Sequence, residues 1–216
     1  MVTVSFLVTV HDELQEIKKL ISYLLSKKDE EDEIIVLQDI ESDKIKDDEV
    51  YKYGLLNTKK LLYYNYSLNN DFASFKNFGK NKCTKDWIFQ IDCDEIPSSY
   101  LLENLKTILE ANKDIELFWI PRTNIVKGIT SEWIKKWGWR MTKLDGYNDL
   151  VNNWPDKQGR IFKNTKRICW YGSVHEIILG HETETNLPFK LEFALYHEKS
   201  LEKQIKQNEM YSKIVR

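Results

Sequence analysis

Short apolar runs alternate with amphipathic stretches along the first 120 residues of the chain. Residues 2–10 are β-branched and apolar, which is typical of a buried strand, and residues 14–25 carry leucine and isoleucine at helical spacing. The same reasoning predicts strands at 34–37, 61–66, 88–91 and 116–120, and helices after Asp71 and after Ser98 or Ser99. This alternation indicates an α/β domain with a mostly parallel sheet.

The pattern changes after residue 124. Pro121 is expected to close strand 116–120, and only strand-like pieces at 160–162, 168–171 and 191–196 and a helical pattern at 201–214 follow. Aromatic side chains concentrate in this region: Trp133, Trp137, Trp139, Tyr147, Trp154, Trp170 and Tyr171. Tryptophans suit stacking on sugar rings, although aromatic residues are more often part of a core. We expect a smaller region of mixed topology here.

Composition limits the class of protein. With 216 residues and 42% hydrophobic content, the chain can form the core of one α/β domain. A net charge of -2 argues against a nucleic-acid partner, and no apolar stretch is long enough to span a membrane. Three cysteines without C-x-x-C spacing fit a reducing compartment rather than a disulfide scaffold or a cysteine zinc site. With no signal-peptide pattern either, a cytoplasmic location is expected.

The segment WIFQIDCDEIP, residues 87–97, carries the strongest chemical signal. Its apolar run predicts a buried strand that ends at Asp92, Asp94 and Glu95. Carboxylates grouped at the end of a buried strand repel one another, and a divalent cation such as Mg²⁺ or Mn²⁺ would supply the missing charge. A solvated acidic turn is the more common explanation of an isolated D-x-D. The remaining motifs decide between the two.

Other polar residues follow the first strands, at the edge where open α/β sheets bind ligands. Thr9, His11 and Glu13 could line a nucleotide pocket, or form an ordinary turn. Asp39 precedes a polar turn at 41–43 and could bind a nucleobase or ribose, or cap a helix. Lys76 could bind a phosphate, or lie on a solvated helix face. Because the chain has no glycine-rich phosphate loop, a metal would have to neutralise a bound diphosphate.

Two segments of the second half carry further candidates. His175 could be a distal metal ligand, with His197 as its alternative, although a lone histidine is usually structural. Asp156 could act as a general base for a sugar hydroxyl, and Arg160 could bind a phosphate or orient that acid. Asp156 lies on a predicted loop before the strand at 160–162, and the alternative for Asp156 and Arg160 is a structural ion pair on this loop.

Taken together, these motifs resemble the family 2 glycosyltransferases, the inverting nucleotide-sugar enzymes of the GT-A fold. The similar segments are residues 4–13, 34–43, 71–97, 159–164 and 170–176, and the resemblance covers most of residues 2–200. Gln38 and Ile40 depart from the acidic turn of that family, and Lys76 stands where the family has an arginine. The chain also resembles the capsid-glycan transferases of large DNA viruses, which would act in the host cytoplasm.

The resemblance implies a donor site for a nucleotide sugar, most simply a UDP-sugar. Its residues would be Thr9, His11, Glu13, Asp39, Lys76, Asp92, Asp94 and Arg160. It also implies a Mn²⁺ or Mg²⁺ ion held by Asp94 with Asp92 and His175. The general base would be Asp156, with Glu176 as the second choice.

The resemblance further implies a single GT-A domain over residues 1–216. Residues 1–123 would bind the nucleotide sugar, residues 124–200 would bind a glycan or glycoprotein acceptor, and the helix at 201–216 could lead to a further domain. Three alternatives stay open: a nucleotidyltransferase, a non-catalytic carbohydrate-binding domain that uses the tryptophans, and a degenerate transferase that only binds donor. The first normally needs the missing glycine-rich loop.

Overall fold

A computed structural model describes residues 1–41, 45, 48–145 and 149–214, with side chains as far as residue 209. Residues 42 and 43 of the polar turn expected at 41–43, and the aromatic residue Tyr147, lie outside these ranges. The main strands are β1 (Val4–Val10), β2 (Glu33–Asp39), β3 (Leu62–Tyr66), β4 (Trp87–Asp92), β5 (Glu95–Pro97), β6 (Leu117–Lys127), β7 (Met141–Lys143), β8 (Leu150–Lys163), β9 (Cys169–Tyr171), β10 (Ile177–Leu179), β11 (Glu184–Asn186) and β12 (Leu195–Ser200).

The helices lie between these strands. They are α1 (Leu14–Lys27), α2 (Glu49–Leu56), α3 (Phe72–Lys80), α4 (Ser99–Ala111), α5 (Ser131–Trp137) and α6 (Leu201–Ile214), with a 3-10 turn at Leu191–Phe193. None of the helices in the described ranges combines the length and the apolar character that a membrane crossing requires.

One large mixed sheet runs in the order β3-β2-β1-β4-β8-β6-β12-β5, and β11 and β7 pair with β6 and β8. The first four strands of that order are parallel, as the alternation of strands and helices predicts. β8 then runs antiparallel between β4 and β6, whereas β12 is parallel to β6. β9 and β10 form a separate hairpin. The predicted α/β class and mostly parallel sheet with a mixed second part are confirmed.

Both faces of the sheet are covered, which explains why β1 is apolar throughout. Phe6 and Val8 point into the core beneath α1 and α4, whereas Leu7 points into the core on the opposite face, beside α3 and the β9–β10 hairpin. All seven residues of β1 are buried. A strand buried on both faces reads as a continuous hydrophobic run rather than an alternating one.

Two local expectations were wrong, and the helix α2 was missed. Pro121 does not end β6, because the strand continues past it with register shifts on both sides, and such irregularities tolerate a residue without an N–H. Residues 154–159 belong to β8 rather than to a loop. α2 was not predicted, although Asp48 caps it by accepting a hydrogen bond from the Tyr51 amide. Its apolar face is too short to stand out as a pattern.

Candidate active site

The ends of β1 and β4 bring the first two predicted site residues together. Thr9 and Asp92 are direct partners in the parallel pair, and the Thr9 hydroxyl donates a hydrogen bond of 2.7 Å to Asp92 Oδ1. The Gln90 amide donates to the same oxygen at 2.8 Å. On the other side, Arg160 Nη2 lies 2.7 Å from Asp92 Oδ2. Both carboxylate oxygens of Asp92 therefore already have donors from the protein.

This environment keeps Asp92 ionised. Burial alone would raise its pKa, but the charges of Arg160 and Lys76 and the Thr9 hydrogen bond hold the pKa well below its ordinary value. Arg160 is itself buried, and the carboxylates around it raise its pKa. β8, which carries Arg160, is thus tied to the end of β4 by charge as well as by strand pairing.

Glu95 forms the centre of a buried chain of charges. It is 0% exposed, and its Oε1 accepts from Arg160 Nη2 at 2.7 Å and from Arg122 Nη1 at 2.8 Å. Its Oε2 accepts from the backbone N–H of Asp92 at 3.1 Å. A buried carboxylate is tolerated when opposite charges and hydrogen bonds replace its water. The repulsion expected among the acidic residues of the motif is therefore relieved in part by two arginines.

Asp156 lies at the other end of this chain of charges. Its Oδ2 accepts from Arg122 Nε at 2.9 Å and Nη2 at 2.6 Å, and from the Asn124 amide at 2.7 Å. Gln158 donates to the remaining oxygen at 3.0 Å. Burial raises the pKa of Asp156, but the Arg122 charge and these hydrogen bonds outweigh burial and lower it. Asp156 is consequently an oriented, ionised carboxylate at neutral pH.

Asp94 faces His197 on β12. The distance from His197 Nε2 to Asp94 Oδ2 is 3.2 Å, and the other ring nitrogen, Nδ1, lies 2.8 Å from Asn124 Oδ1. Burial raises the pKa of Asp94, and its hydrogen bond with His197 more than offsets this and lowers it. Of the two histidines considered for a metal site, His197 is the one beside the acidic motif.

The hydrogen bonds of Asn124 determine which ring nitrogen of His197 carries a proton. An ionised Asp156 can only accept, so the amide nitrogen of Asn124 faces Asp156 and the amide oxygen faces His197. His197 Nδ1 must then carry a proton. With Nδ1 protonated, a neutral ring presents a lone pair from Nε2 to the Asp94 carboxylate. That arrangement requires either a second proton or a cation between the two side chains.

These residues fit a divalent cation that shares its coordination with a substrate. No cluster of three or more His, Cys, Asp or Glu side chains suited to an ion occurs in the described ranges. Mg²⁺, however, is commonly held by one or two carboxylates together with phosphate oxygens rather than by an all-protein cage. Asp94 and His197 supply one oxygen and one nitrogen, whereas both oxygens of Asp92 are engaged elsewhere.

The predicted nucleotide-binding residues lie along the same edge of the sheet. His11 Nδ1 lies 2.9 Å from the Asp39 carbonyl oxygen and 3.3 Å from its carboxylate. The hydrogen bond to Asp39 is the main reason that the pKa of His11 rises to about 9. Glu13 accepts from the His11 backbone N–H at 3.0 Å and from the Cys93 thiol at 3.4 Å. The loop after β1 is thereby joined to the ends of β2 and β4.

Lys76 and Glu176 form a largely buried ion pair of 2.6 Å between α3 and the β9–β10 hairpin. The hairpin is further attached by two hydrogen bonds between the Asn77 side chain and the Trp170 backbone. Lys76 is therefore not on a solvated helix face. Its positive charge contributes to the lowered pKa of Asp92. His175 is exposed in the turn before β10, with a φ of 56°. Glu176 is thus bound to Lys76, whereas Asp156 belongs to the chain of charges around Glu95.

Sequence reasoning missed three features of this site. It did not predict that Glu95 is buried between two arginines, and it gave no role to Arg122 or Asn124. Arg122 directly follows Pro121, the expected end of the strand at 116–120, and was given no role in the site. The scarcity of arginine could have pointed to these residues, because only five of the 32 basic residues are arginines. Arginine is the cation suited to buried bidentate ion pairs. Two of those five bind the acidic motif.

Comparisons with known proteins agree with the fold. The sequence model of Glycosyl transferase family 2 matches residues 5–171. No curated protein sequence matches the chain significantly. Among solved structures, S. aureus TarS 1-349 superposes with a TM-score of 0.60 at 12% identity, covering 91% of this chain. TarS 1-349 has also been solved with UDP-GlcNAc, at a TM-score of 0.60 and 14% identity over 91% of this chain, and with UDP, at 0.59 and 14% over 94%.

The likeness to TarS concerns the fold, which is of the GT-A type. The chain spans 60%, 58% and 62% of the length of these three TarS 1-349 chains, and 37% of a longer TarS chain.

Proposed function

The chain belongs to glycosyl transferase family 2, and from this membership and the geometry of the acidic site we propose that it transfers a sugar from a UDP-sugar to a hydroxyl of a glycan. The observation that carries the proposal is the arrangement of charged side chains between the end of β4 and the middle of β8. One aspartate there is fixed by Arg160, a second faces His197, and a third, Asp156, is held ionised.

The donor half of the proposal rests on the edge formed by β1, β2 and β4. Thr9, His11, Asp39 and Asp92 line this edge at the carboxyl ends of parallel strands, where ligands of open α/β sheets bind. Hydroxyl, imidazole and carboxylate groups suit the hydrogen-bonding edges of a uracil and a ribose. The solved complexes of TarS with UDP and UDP-GlcNAc support a uridine donor for this chain by likeness of fold.

In the proposed site, Asp94 and His197 hold the Mn²⁺ or Mg²⁺ ion. The proton arrangement imposed by Asn124 leaves Nε2 of His197 directed at Asp94, which suits a shared cation. When bound, such an ion offsets the charge of the diphosphate and of the departing nucleotide. His197 takes the role first predicted for His175, and Asp92 serves the ribose rather than the metal.

Asp156 is the proposed general base. It takes the proton of the acceptor hydroxyl as that oxygen forms a bond to the anomeric carbon, while the bond from this carbon to the phosphate oxygen of UDP breaks. Attack on the face opposite to UDP in a single displacement inverts the configuration. Arg122 and Asn124 orient the carboxylate and hold it ionised before the acceptor arrives.

Calorimetric titration with UDP tests the donor site. We expect binding in the presence of Mn²⁺ that is lost with a chelator and in Asp94→Asn. Asp114→Asn, which changes an exposed aspartate on the loop after α4, is the matched control and is expected to bind like the wild type. If UDP does not bind with Mn²⁺, the proposed function is wrong.

Transfer of a hexose stays a prediction. A cytoplasmic location and a role in viral capsid glycans stay predictions as well.

A further inference from the structure

Lys199 lies at the edge of the sheet that carries the donor site. β8 runs antiparallel to both β4 and β6, and β12 is parallel to β6, so β12 runs in the same direction as β1 and β4. Its carboxyl end, which bears Lys199, is therefore at the same edge as Thr9 and Asp92. Lys199 follows His197 by two residues, and alternate residues of a strand share a face. Lys199 thus lies on the face of β12 that carries the proposed metal ligand.

In the described part of the chain, the ammonium group of Lys199 has no carboxylate partner. It donates a hydrogen bond of 2.8 Å to Gln207 Oε1 on α6 instead. The carboxylates of the acidic motif act on it electrostatically, but they are bound to His197 or to arginines. Burial lowers the pKa of Lys199, and the charge of Asp94 opposes that shift only in part. A partly buried cation without a counter-ion is costly, so this position suits a bound anion.

We propose that Lys199 binds the β-phosphate of the UDP-sugar and of the departing UDP. The proposal rests on the proposed function and adds to it a residue that stabilises the leaving group. The β-phosphate of free UDP carries about two negative charges near neutral pH, about one more than in a UDP-sugar. A divalent ion at Asp94 leaves part of the diphosphate charge uncovered, and the sequence has no glycine-rich phosphate loop to cover the rest.

The charge on the β-phosphate increases during the proposed reaction. As the bond between the anomeric carbon and the β-phosphate oxygen breaks, its electron pair stays on that oxygen, while the proton of the acceptor hydroxyl goes to Asp156. A hydrogen bond from a cation to a phosphate oxygen strengthens as negative charge develops there. Lys199 therefore stabilises the transition state more than the bound donor, which is the condition for an effect on turnover.

Attachment of α6 to the sheet is the structural alternative for Lys199. Its hydrogen bond to Gln207 joins β12 to that helix. α6 is also attached to α1, through an ion pair of 2.7 Å between Lys203 and Glu16. Because Gln207 offers only a neutral oxygen, a phosphate is the stronger acceptor for the ammonium group. Substitution of Gln207 separates the two roles, since it breaks the same hydrogen bond and leaves the charge of Lys199 in place.

Calorimetric titration of the full chain with UDP in the presence of Mn²⁺, together with displacement of UDP by UMP, tests the proposal. UMP lacks the β-phosphate. In Lys199→Gln we expect UDP affinity to fall about 5- to 20-fold and UMP affinity to change less than about 2-fold. Lys199→Arg, which keeps the charge, should keep most of the UDP affinity. Gln207→Ala, and Lys206→Gln, which removes an exposed charge from α6, should bind UDP like the wild type.

Each other outcome overturns a defined part. If Lys199→Gln binds UDP as tightly as the wild type, the role of Lys199 is wrong while the donor site stands. Equal losses of UDP and UMP affinity would mean that Lys199 does not act on the β-phosphate, and an equal loss in Gln207→Ala would mean that it only attaches α6. Either result overturns the proposal. Failure of the wild type to bind UDP with Mn²⁺ refutes the proposed function itself.

Discussion

The donor half and the base half of the site are built in different ways. On the donor side, Thr9 and Asp92 are direct partners on neighbouring parallel strands, so ordinary sheet register brings them together. On the base side, Asp156 and Arg122 are direct partners on the antiparallel strands β8 and β6, and Asn124, which lies beyond a register shift in β6, binds Asp156 as well. In the first half a hydroxyl binds a carboxylate between regular parallel strands, whereas in the second half charged side chains pair across an irregular antiparallel pair of strands.

Glu95 connects the two halves. One of its oxygens binds both Arg160, which fixes Asp92, and Arg122, which fixes Asp156. Buried charges in such a chain are stable only together, because each neutralises its neighbours. The donor edge therefore follows from regular parallel pairing, whereas the geometry of the base depends on an irregular antiparallel pair of strands and on the ion pairs within it.

The largest effect should come from removing the base without disturbing the donor edge. In Asp156→Asn we expect turnover to fall about 10²- to 10⁴-fold, since the amide cannot accept the hydroxyl proton, while UDP affinity is kept. Turnover is measured as UDP release from the UDP-sugar that the wild type uses. Asp149→Asn, which alters an exposed aspartate at the start of β8, should keep full turnover. Equal turnover in both variants would place the base elsewhere.

Removing the residue that joins the halves should chiefly affect stability. Glu95→Gln leaves Arg160 and Arg122 buried without their shared counter-charge, and we expect a loss of about 3–5 kcal/mol in the free energy of unfolding. Urea denaturation measures it. Glu103→Gln weakens an exposed pair with Lys27 and should leave the free energy of unfolding nearly unchanged. Similar losses in the two variants would mean that Glu95 has no special place in the charge chain.

The same contrast explains what the sequence could predict. β1 and β4 were predicted because a strand buried on both faces has a continuous apolar pattern, and their ends placed Thr9 and Asp92 correctly on one edge. β6 was cut short at Pro121, since a register shift leaves no mark in hydrophobic periodicity.

The partners of the charged side chains could not be predicted from the sequence either. Arg122 and Glu176 each have many acidic or basic groups to choose from in the sequence, and only the tertiary fold selects Glu95 and Lys76 as partners. The choice between His175 and His197 is of the same kind, because it depends on which strand, β12 or the hairpin, lies beside Asp94.

An intermediate effect should follow from replacing Asn124, which touches both His197 and Asp156. Asn124→Leu removes the acceptor that fixes the His197 ring, and we expect Mn²⁺ affinity of the UDP complex to fall about 10- to 100-fold. Turnover should fall as well, because Asp156 loses a donor. Calorimetric titration with Mn²⁺ at saturating UDP measures the first effect, and Asn112→Leu on the exposed end of α4 is the control. Unchanged Mn²⁺ affinity would remove His197 from the metal site.

The smallest effect tests the donor edge alone, through the pair of His11 and Asp39. The pKa of His11 is raised from 6.5 to about 9, chiefly by its hydrogen bond to Asp39. A group whose pKa is higher in the folded state stabilises the fold fully below its unfolded pKa and loses that contribution as the pH rises through the folded value. The charge interaction of the pair should therefore stabilise the fold fully below pH 6.5. This contribution to the free energy of unfolding should be lost as the pH rises through about 9.

His11→Gln isolates this contribution. Because the imidazole is 65% exposed, solvent screens the pair, and we expect the variant to lose less than about 1 kcal/mol near pH 6. That loss should shrink towards zero by about pH 10, as the wild-type imidazole becomes neutral. Urea denaturation of both proteins at the two pH values measures the change. A loss that is equal at both would mean that His11 stabilises the loop after β1 through packing and neutral hydrogen bonds. The donor edge would then depend on strand pairing alone, without any contribution from charge.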